Sequence, residues 1–299
     1  MKKTLGLLCI SACLLTLSGC KDATAQVSDS SEALITVNDT KITRGNIFNM
    51  MKKSDTSASA SLSLVKEKIY EKENITLTDE MKKEASTKVS EMQKSLKYDD
   101  DKFLEYLQNM GFTSIENYKE QVSYPTLKEN ALVKKYVNDK KQSILSTYTP
   151  IKAQIMTIAK EDNAKKALKA IQDGKDFIET AKKYENSNSD GGKESIYYSE
   201  SSIPSDIFTK MIDAKKGIMG SVMEDTTNSV FYVVKIISTD SSEYEQEALA
   251  KIASDASSSS SSINTTIWSY YLKEHNFTIY DIDVYNGIKS SYESYIVQD

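Results

Sequence analysis

The stretch TPIKAQIMTIAKED, residues 149–162, has the pattern of a short strand that runs into a helix. Because strand side chains alternate between two faces, one face carries mainly apolar residues, namely Ile151, Ala153, Ile155 and Thr157. The other face places Gln154 beside Met156. From its spacing alone, Gln154 is a partly exposed strand glutamine, and the rest of the chain decides whether it is more.

The pattern that begins with this strand continues to residue 240. A helical pattern over DNAKKALKAIQ ends at Asp173 and Gly174, and a second helix runs through Phe177, Ala181 and Tyr184. The loop NSNSDGG then leads to a strongly β-prone segment, SVFYVVKIIS. These signals predict a compact α+β unit.

Helical patterns lie on both sides of this unit. The region before it carries apolar residues at spacings of three and four, which is typical of amphipathic helices. Helices return after it, around a serine run, 257–262, that predicts a flexible turn. We therefore expect one helical domain formed by residues 34–147 and 241–299, with residues 148–240 inserted into it.

Local signals mark where elements begin and end. LITVNDTKIT, residues 34–43, predicts a hairpin that runs into a helix starting at Arg44. Further along, Thr113 and Glu116 have the spacing of a capping box. Pro125 should bend or interrupt the helix that follows.

The first twenty residues differ from the rest. A charged start precedes the apolar run LGLLCISACLLTL, which is too short to span a bilayer as a permanent helix. It leads into LSGC, Leu17–Cys20, which is similar to the bacterial lipobox, where the cysteine is lipidated and becomes the mature N-terminus. We therefore expect residues 1–19 to be a lipoprotein signal peptide, and residues 20–33 to hold the lipidated Cys20 and a flexible tether.

Lipidation of Cys20 would anchor the protein on the extracytoplasmic face of the cell membrane, since each buried methylene contributes about 0.8 kcal/mol. The other two cysteines, Cys9 and Cys13, lie in the signal segment, so the mature chain has no thiol for a disulfide, a metal site or a nucleophile. The formal net charge of −5 becomes −7 without residues 1–19, because they hold two lysines and no acidic residue. This balance argues against a nucleic-acid partner.

Conventional catalytic and metal-binding sites have few candidate residues. The single histidine, His275, would have to serve any histidine-based metal site or serine triad, and its polar surroundings predict a solvent-exposed residue. The acidic triplet Asp99–Asp101 suits a helix start, where the backbone dipole favours negative charge, and a cation site is the alternative. We expect neither a metal nor a cofactor.

The order of motifs along the chain is specific. IKAQIMTI, two helices that include DGKDFIETAKKY, then DGG and FYVVKI resemble the parvulin family of peptidyl-prolyl isomerases. The whole layout, from the lipobox and TVNDTKIT to NFTIYDIDV near the end, is similar to the PrsA-type foldase lipoproteins of Gram-positive bacteria. The resemblance implies an α+β fold, in which a helical chaperone domain carries an inserted small antiparallel sheet with flanking helices.

The resemblance also implies where a parvulin active site would lie. Gln154 takes the place of the family's first histidine, and Tyr232 takes the place of the second. Ser187 stands at the loop position that is usually cysteine or aspartate. Ile203 and Ile207 stand at the positions of the groove methionine and phenylalanine. The family's active-site residues are therefore not retained.

These departures decide the expected chemistry. Of the family's Gly-Gly-Asp-Leu-Gly signature, only Gly191 and Gly192 remain. Prolyl isomerisation needs an apolar groove and polar groups that favour the twisted amide, against a barrier of about 18–20 kcal/mol. We expect a retained fold with little or no isomerase activity, in which Gln154 and Tyr232 are still able to hydrogen-bond one another.

The leading hypothesis is a membrane-tethered chaperone that holds newly exported, unfolded proteins. Five methionines between Met50 and Met110 suit varied apolar partners, with core packing as the alternative role. The rival hypothesis is a working peptidyl-prolyl isomerase with a remodelled site. A solute-binding lipoprotein would need two α/β lobes, which the long helical runs do not fit, and a homodimer is left open.

Overall fold

The computed structural model describes residues 25–185, 191–258 and 261–298. Cys20 and the signal segment, as well as Ser187, lie outside the described residues. Within the described ranges, no helix combines the length and the apolar character needed to cross a membrane. Helices occur together with small antiparallel sheets, which confirms the predicted α+β class.

Helices and strands follow one another in three segments. The N-terminal segment carries β1 (Ala33–Val37), β2 (Thr40–Thr43), α1 (Arg44–Lys52) and α2 (Asp55–Lys72). The helices before the larger sheet are α3 (Asp79–Leu96), α4 (Asp100–Asn109), α5 (Ile115–Tyr118), α6 (Tyr124–Asp139) and α7 (Lys141–Tyr148). The remainder consists of β3 (Ile151–Ile158), α8 (Glu161–Gln172), α9 (Phe177–Tyr184), β4 (Glu194–Tyr197), α10 (Ser205–Ile212), β5 (Gly217–Ile218), β6 (Met223–Asp225), β7 (Val230–Ser238), α11 (Glu245–Ala256), α12 (Ser262–Glu274) and α13 (Ile282–Ser291).

The chain forms two compact units. One runs to Asn74 and is completed by Thr265–Asp299, and the other is Ile75–Asn264. The N- and C-terminal segments thus share a unit, whereas the helices next to the larger sheet group with that sheet. The insertion of residues 148–240 into a helical domain stays a prediction.

The first unit opens with the predicted hairpin. Strands β1 and β2 pair antiparallel, and α1 begins at Arg44 as expected. Thr43 caps this helix, because its side chain accepts a hydrogen bond from the Asn46 amide while the Asn46 side chain bonds back. The sequence prediction of a hairpin followed by a helix is confirmed.

The residues before the hairpin are bound to the same unit. The Ala25 amide donates to Asp281 Oδ2 at 2.6 Å, and Lys52 Nζ lies 2.8 Å from the same oxygen. Both Lys52 and Asp281 are buried. Burial raises the pKa of Asp281, but the hydrogen bonds from Lys52 and from the Ala25 amide outweigh this effect and leave its pKa below the ordinary value. The predicted tether over residues 20–33 is therefore attached to the fold from Ala25 onward.

A helical core completes the first unit. Apolar residues of α2 and of the C-terminal segment pack together in one cluster, formed by Ala58, Leu62, Ile279, Tyr285 and Ile288. His275 is half-buried, and its Nε2 lies 2.9 Å from Glu73 Oε1. The prediction of an exposed histidine is wrong, because the end of α12 meets the end of α2 within this unit.

In the second unit, local signals place the helix ends. The backbone of Gly111 has φ +94° directly after α4, as expected of a stop. The predicted capping box at Thr113 is wrong by one residue, since Ser114 Oγ accepts from the Asn117 amide. The Thr113 amide instead donates to the Asn117 side chain, and Glu116 bonds elsewhere.

Two further signals in these helices behave as predicted. Asp99 caps α4 by accepting from the Lys102 amide at 2.9 Å, so the acidic triplet marks a helix start. Pro125 lies in the first turn of α6, directly after a π-helical turn, Lys119–Ser123. Proline lacks an amide hydrogen, so the regular helical ladder is interrupted there.

A five-stranded antiparallel sheet forms the centre of the second unit. Its strand order is β4-β3-β7-β5, and β6 also pairs with β7. The register between β3 and β7 places Ile155 opposite Val234 and Met156 opposite Val233. Backbone hydrogen bonds therefore fix the position of β3 relative to β7 along both strands.

Both faces of this sheet are covered by helices. On one face, the α10 face, side chains of the strands pack against α10 in a cluster that includes Ile151, Ala153, Ile155, Ile207, Phe208, Met211, Val234 and Ile236. On the other, the α8–α9 face, the cluster consists of Met156, Ile158, Ala164, Ala167, Leu168, Ile171, Phe177, Ala181 and Val233. The alternation predicted for residues 151–158 is thus confirmed.

Gly192 allows the backbone to approach α9 closely. Its φ is +67°, and a Cβ built on it would lie 2.8 Å from the Ala181 Cβ and 2.9 Å from Phe177 Cδ1. Gly191 has nearly the same φ, +66°, but among the described residues a Cβ there would meet nothing within 4 Å. A side chain at either glycine would strain the backbone, but only at Gly192 would it also clash with α9. Comparing the two positions therefore distinguishes the cost of backbone strain from the cost of overpacking.

We predict that Gly192→Ala lowers the free energy of unfolding by about 2–5 kcal/mol, because it adds overpacking to the cost of a left-handed backbone. Gly191→Ala should cost only about 1–2 kcal/mol, since only the backbone term applies. Urea unfolding of both variants measures the difference. Equal losses would contradict the close packing of Gly192 on α9.

Candidate functional site

Gln154 is a buried structural residue of β3. Its side chain is 6% exposed, and its Nε2 donates to the Gly192 carbonyl oxygen at 2.9 Å. Buried polar groups need partners, and this bond holds the glycine turn against the sheet. The prediction of a partly exposed glutamine is wrong, because Gln154 lies on the α8–α9 face, which helices cover.

Tyr232 lies on the opposite face of the sheet from Gln154. The register pairs Tyr232 with Thr157 and Gln154 with Lys235. Residues directly opposite one another share a face, so an offset of three residues places Gln154 and Tyr232 on different faces. The expectation that these two side chains hydrogen-bond one another is therefore wrong.

The predicted groove positions on α10 and before it do meet Tyr232. Ile207 is fully buried in the α10-face cluster that contains Tyr232, and Ile203 is partly buried and packs against the same cluster. The structure thus brings together Ile203, Ile207 and Tyr232. It does not bring Gln154 to them, and Ser187 lies outside the described residues.

Ile155 is the β3 residue that lies on the α10 face at this site. It pairs with Val234, two residues along β7 from Tyr232, and belongs to the same cluster. The alternation of IKAQIMTI already places Ile155 on the face opposite Gln154. This alternation was the sequence signal that pointed to Ile155. The sequence analysis instead chose Gln154, because Gln154 matched the motif position.

The electrostatics of the site centre on Tyr232 and Asp225. Burial raises the pKa of Tyr232, and the negative charge of Asp225 adds to the effect. The Asp225 carboxylate accepts hydrogen bonds from the Asn228 side chain at 2.7 Å and from the amides of Thr227 and Asn228. These bonds hold the pKa of Asp225 below its ordinary value. The carboxylate is therefore used to stabilise the turn after β6.

Glu185 is a further acidic residue that sequence reasoning missed. Its Oε1 accepts from the Thr157 amide at 3.3 Å, while its Oε2 is buried without a hydrogen-bond partner among the described residues. Strand β4 pairs with β3 only as far as Gln154, so on that side no strand among the described residues lies beside Thr157. Glu185 covers this edge, and no motif marks it for that role.

The arrangement can bury an apolar side chain but offers little polar chemistry. The described residues that surround Tyr232 on the α10 face are mainly aliphatic, including Ile155, Ile207 and Val234. The amide of Gln154 is committed to Gly192 on the other face. Electrostatic stabilisation of a twisted amide would need polar groups aimed at it beforehand.

Comparisons with known proteins show which proteins the chain is similar to. No family model matches it. The chain is 29% identical over 233 residues to the foldase protein PrsA of Streptococcus mutans, a match that spans 75% of this chain and 66% of that protein. It is 26% identical over 284 residues to the foldase protein PrsA of Enterococcus faecalis, which spans 90% of this chain and 81% of that protein.

Among solved structures, the crystal structure of foldase protein PrsA from Streptococcus pneumoniae is 21% identical with a TM-score of 0.49, and covers 88% of this chain and 99% of that chain. The sequence matches extend well beyond the sheet region and include most of the helical segments. By sequence, the chain is similar to the PrsA-type foldases of Gram-positive bacteria.

Proposed function

We propose that this protein is a lipid-anchored foldase on the extracytoplasmic side of the cell membrane, where it holds newly exported proteins while they fold. The observation that carries the proposal is the similarity to curated foldases over 90% of the chain. A foldase acts on polypeptides that have not yet folded, so its substrate class is an unfolded client chain. The sheet domain contributes structure to this function and little isomerase chemistry.

The absence of strong isomerase activity is supported by the α10 face. Ile203, Ile207 and Tyr232 meet there, and Ile155 is the strand residue beside them. Side chains of this kind can accept a proline ring, but they do not stabilise the charge distribution of a twisted amide. Gln154 does not supply the missing polar group, since its amide is bound to Gly192.

The holding function is supported by exposed apolar side chains in the first unit. In β1, Leu34, Ile35 and Val37 are each about half or more exposed, and in α1 Met50 and Met51 are more than 60% exposed. Exposed apolar groups of this density mark interaction surfaces. Methionine and aliphatic side chains adapt to varied apolar partners, as a holding chaperone requires.

The position of Ala25 limits how far a lipid anchor on Cys20 would let the first unit lie from the membrane. Only residues 21–24 separate Cys20 from Ala25, whose amide is bound to Asp281. A chain of about five residues spans at most roughly 18 Å, at about 3.3–3.6 Å per residue. An acyl chain on Cys20 would therefore keep the first unit close to the membrane surface.

We predict that the full chain suppresses the aggregation of an unfolded client whose refolding does not depend on proline isomerisation. The triple variant Leu34→Thr, Ile35→Thr and Val37→Thr should bind the client on the order of tenfold more weakly, since it removes apolar contact worth about 1–2 kcal/mol. Light scattering of the client at increasing chaperone ratios measures this.

The matched control is Thr36→Ser, which lies in the same strand and should leave suppression unchanged. Urea unfolding should show that both variants keep wild-type stability. A wild-type chain without effect on aggregation would refute the holding function, and an unchanged triple variant would refute the role of β1.

We also predict that Cys20 is the lipidated N-terminal residue of the mature protein. Mass spectrometry of the membrane fraction should find an acyl-bearing Cys20 with no residue before it, because LSGC follows a charged and apolar leader. Cys20→Ala should release the protein from the membrane fraction. Recovery of an unmodified protein whose location does not respond to Cys20→Ala would contradict the anchor.

A further inference from the structure

The chain that follows Cys20 joins the first unit beside the N-terminal end of α2. Lys52 Nζ donates to the Ala25 carbonyl oxygen at 3.3 Å and to Asp281 Oδ2 at 2.8 Å. The Ala25 amide donates to the same Asp281 oxygen at 2.6 Å. Lys52 ends α1 directly before the turn that leads into α2, so the buried pair of Lys52 and Asp281 holds Ala25 at this end of α2.

The other end of α2 lies far from this point. The helix has 18 residues, which gives it a length of about 27 Å at 1.5 Å per residue. Directly after it, Glu73 Oε1 lies 2.9 Å from His275 Nε2. The first unit therefore has a near end, marked by Lys52 and Asp281, and a far end, marked by Glu73 and His275.

The length of chain before Ala25 restricts how this unit can lie on a bilayer. Five residues lead from Cys20 to Ala25, and they span at most about 18 Å. This reach is shorter than the length of α2. If Cys20 is lipidated and lies at the bilayer surface, α2 cannot stand with its far end on the membrane, because Ala25 would then lie beyond the reach of the tether.

Two exposed side chains lie at the near end, next to the pair that holds Ala25. Tyr280 directly precedes Asp281 and is 60% exposed. Lys53 directly follows Lys52, and its side chain is 64% exposed. Consecutive Cα atoms lie about 3.8 Å apart, so the buried pair also fixes the backbone positions of Tyr280 and Lys53.

Lys53 is available to an external anion, whereas the acidic residues beside it are shielded. Asp281 and Asp283 both pair with Lys52, at 2.8 Å and 3.3 Å, and their side chains are only 8% and 24% exposed. Lys53 Nζ lies 4.0 Å from Asp283 Oδ1, at the outer limit of an ion pair, and the stem of a lysine is flexible. An exposed lysine of this kind can reach the phosphate groups of anionic lipids.

Tyr280 adds an apolar contact suited to the same surface. A tyrosine ring is apolar and its hydroxyl is polar, so tyrosines are enriched where lipid meets water. Each partner of the buried pair thus has a neighbour that suits a bilayer surface, Tyr280 beside Asp281 and Lys53 beside Lys52. The tether holds this end of the unit, and not the far end, within reach of lipid.

We propose that the near end of the first unit contacts the bilayer, with the Tyr280 ring among the lipid headgroups and Lys53 on an anionic phosphate. This inference rests on the proposed lipid anchor, because it assigns the part of the fold that faces the membrane. The proposed client surface on β1 lies elsewhere, since β2 leads into the start of α1, whereas Lys52 ends that helix about 13 Å further along. Contact at the near end therefore orients the unit without using β1.

The test uses the lipidated mature chain in phosphatidylglycerol vesicles that contain lipids with nitroxide-labelled headgroups. This chain has no cysteine other than the modified Cys20, so Tyr280→Cys and Glu71→Cys each introduce one site for a small fluorescent label. Glu71 is the matched control position, because its side chain is 62% exposed near the far end of α2. The label at position 280 should lose most of its fluorescence, whereas the label at position 71, about 24 Å along α2, should keep it.

Lys53→Gln tests the lysine in the chain that carries the label at position 280. The equilibrium constant for bilayer contact should fall about fivefold, because one lysine near an anionic surface contributes that much to binding, and fluorescence should recover accordingly. Lys68→Gln is the matched control, since Lys68 is 75% exposed towards the far end of α2, and it should leave the quenching unchanged. Urea unfolding should show that all variants keep wild-type stability.

Quenching at neither position, equal quenching at both positions, or no effect of Lys53→Gln would overturn the proposal. If an unfolded client shields the label at position 280 while lipid does not quench it, the near end is a client surface and the proposal fails.

The proposed anchor and this inference can fail separately. If mass spectrometry finds Cys20 without lipid, the anchor fails and this inference fails with it. If Cys20 is lipidated but the quenching pattern differs from the one expected, the anchor stands and only the orientation is wrong.

Discussion

The antiparallel pairing of β3 with β7 sets the geometry of the second unit. It decides which side chains of each strand face α10 and which face α8 and α9, because a shift of one residue would exchange the two faces. Both faces are apolar and packed against helices, so a slip of the register would disrupt both clusters at once. The positions of Gln154, Ile155 and Tyr232 all follow from this single pairing.

The same pairing separates fold from chemistry. Gln154 serves the fold, since its amide satisfies the Gly192 carbonyl beside the close contact between Gly192 and α9. Tyr232 and Ile207 serve the core of the α10 face. A domain of this kind can keep its sheet and helices without the polar groups that catalysis requires, because packing and catalysis depend on different side chains. Under the proposed foldase function, the exposed apolar residues of β1 and α1 offer client chains a surface that needs no chemical step.

Local patterns predicted much of this fold from sequence. The hairpin before Arg44, the end of α8 at Asp173 and the strand through Tyr232 follow from period and turn residues close in the chain. Long-range contacts were not predictable in this way. The pairing of His275 with Glu73 depends on residues about 200 positions apart, and the burial of Gln154 depends on a turn 38 residues further along. Gln154 and Tyr232 lie on strands, as the sequence predicted, but that they lie on different faces of the sheet follows only from the register between β3 and β7.

The central proposal is that this sheet keeps its fold but supplies little or no prolyl isomerase chemistry. The most direct test is the rate of cis–trans exchange in a proline-containing tetrapeptide, measured by NMR exchange spectroscopy with the full chain present. The account predicts a rate close to that of the peptide alone, with the slow exchange typical of an uncatalysed prolyl bond. Acceleration comparable to that of an active parvulin, lost on Tyr232→Phe or Ile155→Ala in a chain that remains folded, would contradict it.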